Sequence, residues 1–186
     1  MAKKVLIGVG AVVLLVLILF FAVNNQLVAL QENTTASWAQ VEAVLQRRYD
    51  LIPNLVNTVK GYATHEKTVL DDVTRLRSQW ASAKTTQEKA AAATLLETSL
   101  GSLMAVAEQY PDLKASQNFR DLQYELAGTE NRIAVERQRY NDALRSYNTK
   151  VRQFPGSLVA GMRGLHPSTA YFEASTSAKE APKVEF

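Results

Sequence analysis

Cysteine is absent from the 186 residues. Disulfides, thiolate metal ligands, a cysteine nucleophile and a lipidated N-terminal cysteine are thereby excluded within this sequence. Histidine is nearly absent: only His65 and His166 occur, far apart. His65-Glu66 lacks the second histidine of a His-Glu-x-x-His zinc helix. Neither histidine completes the Glu-x-x-His pair from which a bundle builds a di-metal site. No Gly-x-Ser-x-Gly elbow and no glycine-rich phosphate loop is present. The expectation is a protein with no catalytic residues, no metal, no cofactor and no identifiable small-molecule substrate.

A surplus of one charge sign is missing as well. The formal net charge is +3, and without Lys3 and Lys4 there are 19 basic residues against 18 acidic ones. A nucleic-acid binder carries a clear basic excess on one face, so nucleic acid is not expected as a partner. Glycine and proline are scarce, at 8 and 5 residues. Together with abundant Ala, Leu, Gln and Arg, that scarcity favours helices.

What the chain does have is one long apolar run, Val5 to Val23, with no charged or strongly polar residue. About 19 positions at 1.5 Å of rise give roughly 28 Å, the hydrocarbon thickness of a bilayer. A helix satisfies its own backbone groups in lipid, so the run reads as a transmembrane helix. A cleaved signal peptide has a shorter apolar core, about 7–15 residues, ending in a small-x-small site. Phe20, Phe21, Val23, Asn24 and Asn25 offer no such site. Lys3 and Lys4 precede the run, and no Lys or Arg follows until Arg47. The positive-inside rule then puts the N-terminus in the cytoplasm and the rest outside. Gly8 and Gly10 permit close helix approach but lack Gly-x-x-x-Gly spacing, so the run is an anchor rather than a dimer seam.

Beyond the anchor, apolar residues recur at alternating threes and fours. The first stripe runs from Trp38 through Val41, Leu45, Arg48, Ile52, Leu55, Val59, Ala63, Val69, Val73 and Leu76 to Trp80. Its phase survives Pro53 and Gly61, which predicts one long bent helix; two helices meeting near Gly61 to Thr64 is the alternative. A second helix starts at Thr85, where Thr85 and Glu88 have capping-box spacing, and ends at Pro111. Its stripe is Ala93, Leu96, Leu100, Leu103, Ala107 and Tyr110. A third, capped by Ser116, carries Phe119, Leu122, Leu126, Thr129, Ile133, Glu136, Tyr140, Leu144, Tyr147, Val151 and Phe154. That is about five heptads of coiled-coil-like seam, stopped by Pro155 and Gly156. Ser157 to Leu165 reads as a short amphipathic helix.

The expected organisation is a flank over 1–4, a transmembrane helix over 5–23 and a linker or helix extension over 24–37. A helical bundle then covers 38–165, and a mostly flexible tail covers 166–186. The fold class is all-α: an antiparallel bundle of three long helices and one short C-terminal helix behind the anchor. The long helices are unequal, which asks for a break in the first or a partner for the projecting stripe.

The string Arg47-Arg48-Tyr49-Asp50-Leu51-Ile52-Pro53-Asn54-Leu55-Val56, then Val59-Lys60-Gly61-Tyr62-Ala63 and His65-Glu66, resembles the LemA family of bacterial membrane proteins. Glu130-Asn131-Arg132-Ile133, Arg139-Tyr140-Asn141, Tyr147-Asn148 and Phe154-Pro155 continue the resemblance. Gly161 to Pro167 matches the family's aromatic, glycine-containing stretch only loosely. The resemblance implies an anchored antiparallel bundle and no particular activity. It also implies a short N-terminus outside the cell, opposite to the reading from Lys3 and Lys4.

Polar residues on apolar stripes are the candidate functional positions. Arg48 lies on the first stripe, Thr129 and Glu136 lie on the third, and Glu130 sits beside it. A buried unpaired charge costs several kcal/mol, so these groups must pair or reach water. Either Arg48 meets Glu130 or Glu136 in an interhelical layer, or it snorkels with only its stem packed. With the motif residues, the candidate set is Arg47, Arg48, Asp50, Pro53, Asn54, Glu130, Arg132, Glu136, Tyr140 and Asn141. Arg132, Arg137, Arg139, Arg145, Lys150 and Arg152 crowd the third helix, as a solvated face or a dock for anionic headgroups. The expected function is a non-catalytic, membrane-anchored scaffold of the cell envelope. Its expected partners are the bilayer, a second copy of itself and other envelope proteins. The alternative is a lipid- or peptide-binding module using an interhelical groove or that basic half-helix.

Overall fold

The computed structural model describes residues 2–63 and 65–172. Six helices follow one another: α1 (Ala2–Tyr62), α2 (Lys67–Ser82), α3 (Thr86–Ala107), α4 (Pro111–Ala115), α5 (Gln117–Arg152) and α6 (Gly156–Met162). There is no strand among the described residues. The chain is an all-α antiparallel bundle behind an N-terminal apolar helix.

The described residues form two compact units. The first holds α1 up to Trp38, α5 from Arg139, α6 and the chain to Thr169. The second holds 39–138 and 170–172.

In the first unit, the large apolar side chains from Val5 to Leu19 are exposed; Leu6 is 75% exposed. Covering starts at the end of the apolar run, with Phe20 half-buried and Val23 and Leu27 buried. The segment expected as a linker or extension over 24–37 is continuous α-helix. α5 runs back along α1: Trp38 stands edge-on to Tyr140, with ring centroids 5.3 Å apart. Further along, the Arg163 Nη1 donates to Asn24 Oδ1 at 3.2 Å. Asn148 closes the following segment from both sides. Its Nδ2 donates to the Ser168 carbonyl at 2.7 Å, and the Ser168 N–H donates to its Oδ1 at 2.8 Å. Residues 166–168, placed in the tail from sequence, are thus held. The part of that tail beyond 172 lies outside the described residues.

In the second unit, the first stripe does not continue as one helix. α1 continues through Pro53 but ends at Tyr62, and α2 begins at Lys67. The alternative of two helices is the one adopted. The stripe keeps its phase because both helices bury their apolar faces in one core: Val41, Leu45, Ile52, Leu55, Val59, then Leu70, Val73, Leu76 and Trp80. α3 opens with the full capping box. The Glu88 N–H donates to Thr85 Oγ1, and Glu88 Oε2 accepts from the Thr85 N–H. The Lys84 N–H also donates to Glu88 Oε2, at 2.9 Å, and the backbone N–H groups of Lys84 and Thr85 together hold the Glu88 carboxyl below its ordinary range. α3 stops at Ala107 rather than Pro111. Pro111 instead opens α4, where its missing N–H costs nothing at a first helical position. Along α5, which contributes to both units, Phe119, Leu126, Ile133, Leu144 and Val151 are buried as the stripe predicts, but Phe154, just past its end, is 76% exposed.

Candidate functional site

Pro53 sets the first element of the site. It lacks an N–H, so the carbonyl four residues earlier, on Tyr49, loses its helical partner. Arg77 of α2 supplies the replacement: its Nε donates to the Tyr49 carbonyl at 3.1 Å. The proline therefore stays inside α1 because another helix satisfies the group it frees.

Around Tyr49 lies a layer of paired charges. Arg48, with its side chain 10% exposed, donates from Nη1 to Glu130 Oε2. Of the two carboxylates open to Arg48, Glu130 is the one that takes it. Arg137 Nη1 donates to Glu97 Oε2 of α3 at 2.7 Å. The Arg137 guanidinium also lies over the ring of Phe172, 5.0 Å from its centroid. The Tyr49 ring meets Trp80 edge-on at 4.4 Å. Lys89 stands 5.6 Å over the Trp80 ring and is ion-paired with Glu42. The layer is not fully satisfied. Tyr49 Oη, Trp80 Nε1, Arg48 Nε and two Arg137 nitrogens are buried without a hydrogen-bond partner. Burial pushes the Tyr49 phenol well above its ordinary 10, only partly offset by Arg137 and Arg48. Its hydroxyl stays protonated and takes no part in acid–base exchange near neutrality.

The remaining sequence candidates scatter. Arg47 pairs with Glu125 at 3.3 Å on the surface. Asp50 accepts from Gln46 Nε2 at 2.7 Å, also exposed. Arg132 joins Arg47, Tyr124 and Glu125 along an open groove of about 410 Å³. Asn54 lines a neighbouring groove of about 460 Å³ with Asn118 and Asp121. Tyr140 is buried against Trp38, whereas Asn141 and Glu136 are half-buried. Of the basic residues on α5, Arg137 is committed to Glu97, and Arg145 pairs with Asp142 at 2.8 Å. Sequence reading missed Arg77, Glu97, Glu42 and Lys89. Pro53 did signal an orphaned carbonyl on Tyr49, but only packing names its donor. The other three look like any solvated charge until a neighbouring helix meets them. No three potential metal ligands come together among the described residues.

The polar layer, the arginine pair at 47 and 48, and the proline they precede fall in the part of the chain, residues 37–186, that matches the LemA family model. The chain belongs to the LemA family. It is 26% identical over 167 residues to magnetosome protein MamQ 2 of Paramagnetospirillum magneticum. It is 25% identical over 167 residues to magnetosome protein MamQ of Magnetospirillum gryphiswaldense. Each alignment covers 76% of this chain and 61% of the relative, so the chain spans about three fifths of the length of these relatives. Protein LemA of Metamycoplasma hominis is 27% identical over 155 residues, covering 82% of this chain and 69% of that protein. The names of the family and of these relatives are not those of enzymes. With its apolar N-terminal helix, this LemA-family chain is a membrane-associated protein.

Proposed function

We propose that this LemA-family chain is a membrane-anchored, non-catalytic scaffold of the bacterial envelope that acts by assembling with itself or with other envelope proteins. The observation that carries it is the use of the buried charges. Arg48, Glu130, Arg137 and Glu97 are spent on one another across helices. Such a layer favours one helix register over its neighbours. Two sequence arguments for self-association change. The first stripe is divided between α1 and α2, which is the break that the unequal helix lengths asked for, and the apolar seams are filled within the chain. An assembly interface must therefore use outer surface.

The reading places the chain in the inner membrane. Lys3 and Lys4 put the N-terminus in the cytoplasm. Lys150, Arg152 and Arg163, carried by the end of α5 and by α6, favour the opposite orientation. An impermeant reagent on Ser37→Cys in spheroplasts decides between them. The scaffold reading is tested by the mass of the full chain in nanodiscs together with in-membrane crosslinking from α1. A multimer or a specific crosslinked envelope protein is expected. A strict monomer that captures nothing overturns it.

A second reading is a binder of lipids or peptides through an interhelical groove or the basic half of α5. The groove beside Arg47 and Arg132 favours it, because the exposed ring of Tyr124 lines it with both arginines. Saturable binding of acidic peptides, lost in Arg132→Ala, is the result it requires.

A further inference from the structure

We propose that α6 is a second membrane contact: an interfacial helix that lies on the bilayer at the foot of the span and grips anionic phospholipid headgroups. The proposal rests on Val5 to Val23 being the span, as above.

Three observations in the first unit point the same way. The first is level. Asn24 lies about 21 Å before Trp38 along α1, and Arg152, the last residue of α5, about 18 Å past Tyr140 on the returning helix. Because Trp38 and Tyr140 touch, α5 ends within about one helical turn of the height of Asn24, the residue that follows the apolar run. The Arg163–Asn24 hydrogen bond puts the far end of α6 at that same height. Burial agrees, since α1 first becomes covered at Phe20 and Val23.

The second observation is an apolar face with nothing on it. α6 buries Gly156, Val159 and Ala160. Its other side presents Leu158, 62% exposed, and Met162, 77% exposed, which are four apart and share one face of the helix; Phe154, in the turn just before α6, is exposed as well. Three large apolar side chains exposed together are unusual for a surface in water and ordinary for one at a headgroup boundary.

The third is charge. No acidic residue occurs between Asp142 and Glu173, while Lys150, Arg152 and Arg163 fall within that stretch. α1 carries none from Val5 to Gln31 either. The end of the unit level with the bilayer surface is therefore cationic, and the partner that matches an apolar strip flanked by cations is an anionic lipid surface. This also accounts for Phe154, which the stripe of α5 wrongly places in the core: its burial partner is lipid.

The test uses the full chain in nanodiscs of phosphatidylglycerol and phosphatidylcholine. The absence of cysteine allows single spin labels at Leu158→Cys, Met162→Cys, Leu14→Cys and Ser146→Cys. The expected result is an oxygen-to-nickel accessibility ratio severalfold higher at 158 and 162 than at Ser146, an exposed site about 12 Å further from the foot of the span. That excess should fall in pure phosphatidylcholine and in the Lys150→Gln, Arg152→Gln, Arg163→Gln variant. If 158 and 162 are as aqueous as 146 while 14 is in lipid, the proposal is overturned and the anchor stands. If 14 is aqueous too, the anchor itself has failed. Labels at 158 and 162 shielded from both relaxants mean a protein covers the face, which also overturns the proposal.

Discussion

The two units are held together by different chemistry. In the second unit, Arg48–Glu130, Arg137–Glu97 and Lys89–Glu42 tie helix to helix. In the first, the ties include a Trp38–Tyr140 ring contact, the amide of Asn148 clasping the Ser168 backbone, and Arg163 donating to the neutral amide of Asn24. Charge pairs discriminate sharply between registers but cost desolvation, and losing one partner strands the other. Neutral amide and aromatic contacts are cheaper to bury. The ring contact and the Asn148 clasp thus need no buried counter-charge.

The comparison sharpens most at Glu130. Glu130→Gln strands the buried Arg48 charge. With Glu130 itself partly exposed, the expected loss is about 2–3 kcal/mol of stability in the second unit. Arg48→Met removes the charge together with its need for a partner and is expected to cost under about 1 kcal/mol. Denaturant unfolding of both variants in the same detergent measures this, and equal losses would break the contrast.

Next is Gly156→Ala in the first unit. A Cβ there would run into the Lys150 backbone carbonyl, which cannot swing aside as a side chain can. An overpacking loss of about 1–3 kcal/mol is expected. Amide exchange should rise around α6 and Ser168 while amides of α2 and α3 keep their protection. Uniform loosening of both units contradicts this.

Arg77→Ala should cost about 1–2 kcal/mol by orphaning the Tyr49 carbonyl. In a Pro53→Ala background, where position 53 regains an N–H, the cost should shrink. A double-mutant cycle reads the difference, and full additivity would mean the bond carries nothing.

The smallest effect is at Tyr49. Tyr49→Phe deletes a buried hydroxyl without a partner and should be neutral or stabilising, by up to about 1 kcal/mol. The folded phenol titrates above its ordinary 10. Its contribution is therefore fully present below pH 10 and is lost as pH rises from there toward the folded value. Above pH 10, wild type should lose stability faster than Tyr49→Phe. Parallel curves would place the hydroxyl in water.

Much of the fold could be read locally. The apolar N-terminal helix, the capping box at Thr85 and the buried faces of α3 and α5 follow from spacing, because a 3.6-residue period and a capping geometry involve only near neighbours. The end of α1 could not be read so. Gly61 weakens a helix equally in either reading, and the stripe keeps its phase because both helices feed one core. Arg48 was recognisable as misplaced on an apolar stripe, yet its choice of Glu130 over Glu136 depends on how α5 turns beside α1.

By itself, the sequence determined that the chain is helical, carries one apolar run of membrane-spanning length and holds no cysteine chemistry and no histidine pair. Each of these depends on composition or near-neighbour spacing. The tertiary structure alone decided that Arg77 repairs the carbonyl freed by Pro53. It also decided that Glu97 answers Arg137, that Arg163 reaches Asn24, and that Phe154, Leu158 and Met162 stay exposed rather than in the core. Those outcomes join residues tens of positions apart, and no periodicity along one helix records which face of another will arrive.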